Sequence, residues 1–137
     1  MAGINDPDEI ARALKSAKTI AVVGCSPEES RPSNAIARYL LRAGFDVIPV
    51  NPGHVELLGR PCYPDLASVP KDVRVDIVDV FRRSEFVPEI ANAALARGAG
   101  FFWMQDGVVD EEAARRLTAA GIPVAMDRCI FRDHSAL

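Results

Sequence analysis

The residues that could do chemistry fall in five short stretches. Gly24-Cys25-Ser26 runs on to Arg31, Ser33 and Asn34; the others are Asn51-Pro52-Gly53, Phe81-Arg82-Arg83, Gln105-Asp106-Gly107 and Asp127-Arg128-Cys129. Their types favour holding an anion over breaking a bond. Arg31, Arg82, Arg83 and Arg128 carry guanidinium groups, which pair with phosphate in a fixed fork geometry. Gly24 lets a ligand approach the backbone, and Ser26 and Ser33 offer hydroxyls. An aromatic next to two arginines suits a phosphorylated purine, because a guanidinium either pairs with phosphate or stacks on a base. Each feature also has an ordinary use: serines cap surface loops, adjacent arginines are commonly solvated, and Cys25 and Cys129 would serve as small buried thiols. Position must decide between the two uses.

Catalytic arrangements are sparse. His54 and His134 are the only histidines, one in the proline-rich segment and one in the tail, and neither falls at a predicted strand end beside a nucleophile. No His, Asp and Glu cluster has metal-ligand spacing. Asp76 and Asp79 are an odd number apart in one predicted strand, so they face opposite sides and are not a paired-carboxylate site. Asp79, near the strand end, is expected to hold a neighbouring N–H.

The elements that must position these residues follow from the apolar pattern. Thr19 to Val23 is β-branched at four of five positions and predicts a buried strand. A polar loop follows, then a helix from near Asn34 with Ile36, Leu40 and Leu41 on one face. An earlier helix, Asp6 to Ser16, has Asp6 as its N-cap, Pro7 at the first position and Glu9 where a capping box wants it. Phe45 to Val50 predicts a second strand, with Pro49 arguing for a sheet edge. The segment from His54 to Pro70 is too broken for a long helix and predicts an irregular crossing with one helical turn at Leu66 to Ser68. Val75 to Val80, Gly100 to Met104 and Ile122 to Met126 complete five strands. Helices capped by Ser84 and Asp110 lie between them, and the tail has no clear period.

This alternation predicts an α/β fold, a doubly wound five-stranded parallel sheet in three layers and one domain. Such sheets bind ligands beyond the strand carboxyl ends, where strand order reverses. All five chemical stretches fall at strand carboxyl ends. Dinucleotide enzymes usually carry an acid after the second strand and GxGxxG after the first; here Asn51 replaces the acid and the first loop has a single glycine, which demotes NAD.

Bulk properties exclude other classes. The 137 residues are 49% hydrophobic and 26% charged, with net charge −3, so there is no bulk basic field for nucleic acid. There is no apolar run long enough to span a membrane and no signal-peptide pattern at the N-terminus. Three widely spaced cysteines form no CxxC pair, and a reducing cytoplasm is the expected setting. Self-association is left open.

Four segments together resemble a known family: IAVVGCS…RPSNAIARYLLRAGFDVIPVNP, GRPCYPDLASVP, VDIVDVFRRSE and FFWMQDGVVDEEAARRLTAAGIPVAMDRC. They are similar to the small stand-alone CoA-binding proteins of bacteria, which share a Rossmann-like domain with the N-terminal part of the succinyl-CoA synthetase alpha subunit. The similarity runs from Lys18 to Cys129 within a single 1–137 domain. It implies non-catalytic binding of coenzyme A or an acyl-CoA. Gly24, Ser26, Arg31 and Ser33 would then serve the phosphate-binding loop, with Cys25 and Asn34 of the same stretch also among the cofactor-binding residues. Asn51 and Pro52 would line the cofactor, Phe81, Arg82 and Arg83 would border adenine or phosphates, and Gln105 and Arg128 would stand on the rim. The synthetase's phosphohistidine lies in a second domain and is not carried over. Asp106 departs from the family, which has an apolar residue there; an acid at that point disfavours a nearby phosphate. The alternatives are an NADP-dependent oxidoreductase, which the rim arginines would suit nearly as well, and a thiol acyl carrier using Cys25 or Cys129.

Overall fold

The computed structural model describes residues 2–137; residue 1 of the expected 1–137 unit lies outside them. Five parallel strands form the main sheet: β1 (Thr19–Val23), β2 (Asp46–Val50), β5 (Ile77–Val80), β6 (Phe101–Met104) and β7 (Val124–Ala125), in the order β2-β1-β5-β6-β7. A small antiparallel pair, β3 (Glu56–Leu57) and β4 (Arg60–Pro61), stands apart from it. The helices are α1 (Pro7–Ser16), α2 (Pro32–Arg42), α3 (Val87–Arg97), α4 (Glu111–Ala119) and α5 (Ile130–Ser135).

The period-2 alternation of each strand sorts the core into two layers. Ile20, Val22, Val47, Ile77, Phe101 and Trp103 face α1, α2 and α5, where Ile10, Leu14, Ala37, Leu40 and Ile130 meet them. Ala21, Val23, Val50, Val78, Val80, Phe102 and Met104 face α3 and α4, packing on Val87, Ala91, Ala94, Ala114 and Leu117. Both faces are thus covered, which explains why the strands are apolar along their length. The order reverses between β1 and β5: the chain leaves β1 in one direction to build β2, then returns on β1's other side. That gap is the ligand position of an open α/β sheet.

Pro49 lies on an edge strand, as its missing N–H requires. That edge is partly closed by Tyr63, whose N–H reaches the Pro49 carbonyl at 3.2 Å. The opposite edge is closed by the N-terminal segment, with Asn5 N–H on the Val124 carbonyl at 2.8 Å.

Several local expectations are corrected. The Asp6 cap forms, accepting from the Asp8 and Glu9 N–H groups, but Glu9 accepts from Gly3 at 2.9 Å and closes no capping box. Helix α2 starts at Pro32, two residues before Asn34, because proline suits the first turn. Ser84 caps no helix: Ser84 to Phe86 is a 3-10 turn, and the Ser84 hydroxyl accepts from Val109 N–H at 2.9 Å. The expected turn at Leu66–Ser68 is present as 3-10 helix, whereas the β3–β4 pair was not anticipated. The tail forms α5, which docks on α2 through a 2.6 Å contact between Tyr39 Oη and His134 Nδ1 and an edge-to-face contact of Tyr39 with Phe131. Asp79 holds no N–H; it is fully buried and neither carboxyl oxygen has a partner among the described residues.

Candidate functional site

The first turn at the switch point requires glycine. Gly24 has φ +89°, and a Cβ there would lie 2.9 Å from Arg82 Cδ and 3.0 Å from the Phe81 carbonyl oxygen. The loops after β1 and β5 therefore touch, at a separation any side chain would force apart.

The loop from Gly24 to Asn34 is held by its own polar groups. Gly24 and Cys25 N–H both donate to the Val50 carbonyl, at 2.9 and 3.2 Å. Ser26 N–H donates to Ser33 Oγ at 2.9 Å, and Glu28 N–H to Ser26 Oγ at 3.1 Å. Each hydroxyl accepts from the loop and keeps its own proton to donate outward. Asn34 is buried; its Nδ2 donates to the Ser26 carbonyl at 2.9 Å and its Oδ1 accepts from Arg38 at 2.8 Å. Asn51 does the same from β2, with Nδ2 on the Cys25 carbonyl at 2.9 Å and Oδ1 accepting from Gly53 N–H at 2.8 Å.

A cleft of about 800 Å³ opens over the carboxyl ends of β1, β5 and β6. Of the thirteen residues expected at a site, nine line it. Gly24, Ser26, Arg31 and Ser33 come from the first loop, Asn51 from β2's end, Phe81, Arg82 and Arg83 from β5's end, and Gln105 from β6's end. The other four lie elsewhere. Cys25 is fully buried beneath the loop, and burial, with a smaller contribution from Cys62, pushes its thiol up to about 11. Asn34 is the buried brace just described. Pro52 lines an adjoining hollow of about 290 Å³ on the other side of Gly24 and Arg82. Arg128 is turned onto Asp133 in a two-pronged pair at 2.8 and 2.9 Å.

The electrostatics of the lining are uneven. The Arg82 and Arg83 guanidiniums sit 4.2 and 5.4 Å from the centre of the Phe86 ring, so both stack on one aromatic. Arg83 pairs with Glu85 at 3.2 Å and Arg31 with Glu28 at 3.4 Å. Among the described residues Arg82 has no carboxylate within ion-pair distance. Gln105 is only 5% exposed, with Oε1 accepting from Ile130 N–H at 3.1 Å.

The lining also holds Pro32, Ile36, Val108 and Arg132, which residue type and spacing do not single out. Helical spacing puts Ile36 on a core face, and Arg132 belongs to a tail without period. Cys129, but not Cys25, lines the cleft. The acid at Asp106 does not stand alone: Arg132 Nη2 approaches it to 2.7 Å and holds its carboxyl below the usual range.

A parallel sheet that reverses order at a glycine turn, under a hollow carrying several arginines, defines a Rossmann-like α/β domain. The chain belongs to the CoA binding domain family, which it matches over residues 18–135. It is 42% identical over 127 residues, 93% of either protein, to the uncharacterized protein YneT of Bacillus subtilis. It is similar to a hypothetical protein from Pyrococcus horikoshii with a TM-score of 0.90 and 36% identity, covering 96% of this chain and 92% of that one. It is also 40% identical over 63 residues to acetate–CoA ligase (ADP-forming) I of Archaeoglobus fulgidus, a match spanning 46% of this chain and 9% of that enzyme.

Proposed function

We propose that the chain binds coenzyme A or an acyl-CoA in the cleft and performs no bond-breaking there. One observation carries this reading: residues from four separate strand ends, far apart in sequence, meet around one hollow at the switch point. The family supports the ligand class. The donor set suits it as well. Arg82, with no carboxylate partner among the described residues, is the guanidinium most ready for a phosphate, and the Ser26 and Ser33 hydroxyls keep protons to donate. CoA bears a 3′-phosphate on its ribose, where NAD has a hydroxyl, and a site with Asn51 in place of the ribose-binding acid is consistent with that phosphate. When bound, CoA supplies a thiol or thioester, and the role of this chain's residues is to hold and orient it. The setting is the cytoplasm.

Of the two alternatives, a thiol carrier working through Cys25 is disfavoured by burial, since a thiol raised to about 11 is almost wholly protonated at neutral pH. Titration calorimetry with CoA, dephospho-CoA, ATP and NADPH tests the reading. CoA is expected to bind most tightly, and Arg82→Ala to cost about 1–3 kcal/mol. Folded protein that gives no heat with CoA at high micromolar concentration overturns it. Tighter binding of NADPH than of CoA transfers the case to the oxidoreductase alternative.

A further inference from the structure

Four guanidinium groups line the cleft, those of Arg31, Arg82, Arg83 and Arg132. Two of the three that pair with a carboxylate do so with a sequence neighbour, Glu28 or Glu85, and neither of those acids lines the cleft. The third pair is different. Asp106 follows β6, Arg132 lies on α5, and the 2.7 Å pair joins two segments 26 residues apart. Both members line the cleft, and Asp106 is the only acid that does so among the described residues. The pair is also half open to water, with side-chain exposures of 51% for Asp106 and 61% for Arg132. An ion pair this exposed is weak, so exchanging one partner costs little.

We infer that Asp106 is a built-in competitor for Arg132: it occupies the guanidinium until an anionic group of the ligand displaces it. This deepens the CoA reading and rests on it. Arg132 is then a fourth ligand-holding cation, withheld by an acid that also repels phosphate from the cleft. The arrangement lowers affinity in the empty state and favours ligands with enough negative charge to win the exchange. Neutralising Asp106 removes a repulsive charge and frees a cation, whereas removing Arg132 deletes the cation and leaves the acid bare. The two changes should therefore move affinity in opposite directions. A pair that merely staples the β6 loop to α5 predicts shifts in the same direction, because breaking it from either side loosens the same contact.

The experiment is titration of wild type, Asp106→Asn and Arg132→Ala with CoA and, in parallel, with inorganic pyrophosphate. Circular dichroism and thermal melts establish that each variant is folded. Asp106→Asn is expected to tighten CoA binding by about 5-fold or more, and Arg132→Ala to weaken it by a similar factor, the scale of one charge-assisted contact. Affinity that moves in the same direction in both variants, or in neither, overturns the inference. If wild type ignores CoA but binds pyrophosphate with opposite shifts in the two variants, the competitor stands and the CoA reading falls. If it binds neither probe, both fall.

Discussion

Asn34 and Asn51 illustrate how side chains at strand ends divide between ligand and scaffold. Both amides are spent on main-chain carbonyls of the first loop, those of Ser26 and Cys25. The sequence places them beside a ligand because they sit in the right loops, but an amide's partner depends on what the fold brings within 3 Å. Asp79 is the opposite case, a carboxyl group with no partner at all among the described residues. Full burial pushes its pKa well above the ordinary carboxylate value. Folding therefore takes up a proton at this site once the unfolded chain has lost its own, above about pH 4. The associated stability is complete below that pH and falls as pH rises toward the folded-state pKa. Asp79→Asn abolishes the linkage. Urea unfolding at pH 4, 6 and 8 should show the variant gaining on wild type as pH rises; parallel profiles for the two proteins contradict the assignment.

At the scale of elements, the irregular crossing between β2 and β5 depends on one residue that its own sequence does not contain. Arg97, at the end of α3, donates to the carbonyls of Leu66, Val69, Pro70 and Val73 at 3.0, 2.9, 3.1 and 3.0 Å. A segment with this many prolines cannot pair all its carbonyls by helix or sheet, and one planar cation answers four of them. Arg97→Ala is expected to cost about 2–3 kcal/mol, the scale of hydrogen bonds to a charged donor. Lysine should not restore it, because an ammonium lacks the fork geometry. Chemical denaturation measures both; a loss below about 0.5 kcal/mol, as for an ordinary surface change, contradicts the bracing role. Helix α5 was missed because it is short: six residues give fewer than two turns of pattern, and its docking on Tyr39 and Phe45 is a tertiary contact.

For the molecule as a whole, β1, β5 and β6 deliver their loops to one end of the sheet. A ligand that bridges those loops should stabilise the fold by mass action. At a hundred times its Kd, CoA is expected to add about 2.7 kcal/mol, which for a chain of this size is a rise in Tm of roughly 10 °C. Thermal melts over a CoA concentration series check this, and a Tm unmoved by saturating CoA contradicts binding at the native cleft.

The residue pattern alone determined the layers, the five parallel strands and the switch-point loops, because strand apolarity, helix periodicity and glycine turns are local consequences of burial. It also determined that Pro49 belongs at an edge, since a missing N–H is a property of the residue itself. Only the tertiary structure decided which polar groups face the cleft. Arg128 and Arg132 stand four positions apart in the same tail, yet Asp133 takes the first out of the lining and Asp106 holds the second within it. Which partner each arginine meets depends on how α5 lies across the β6 loop, and that packing is a long-range outcome that spacing along the chain does not encode.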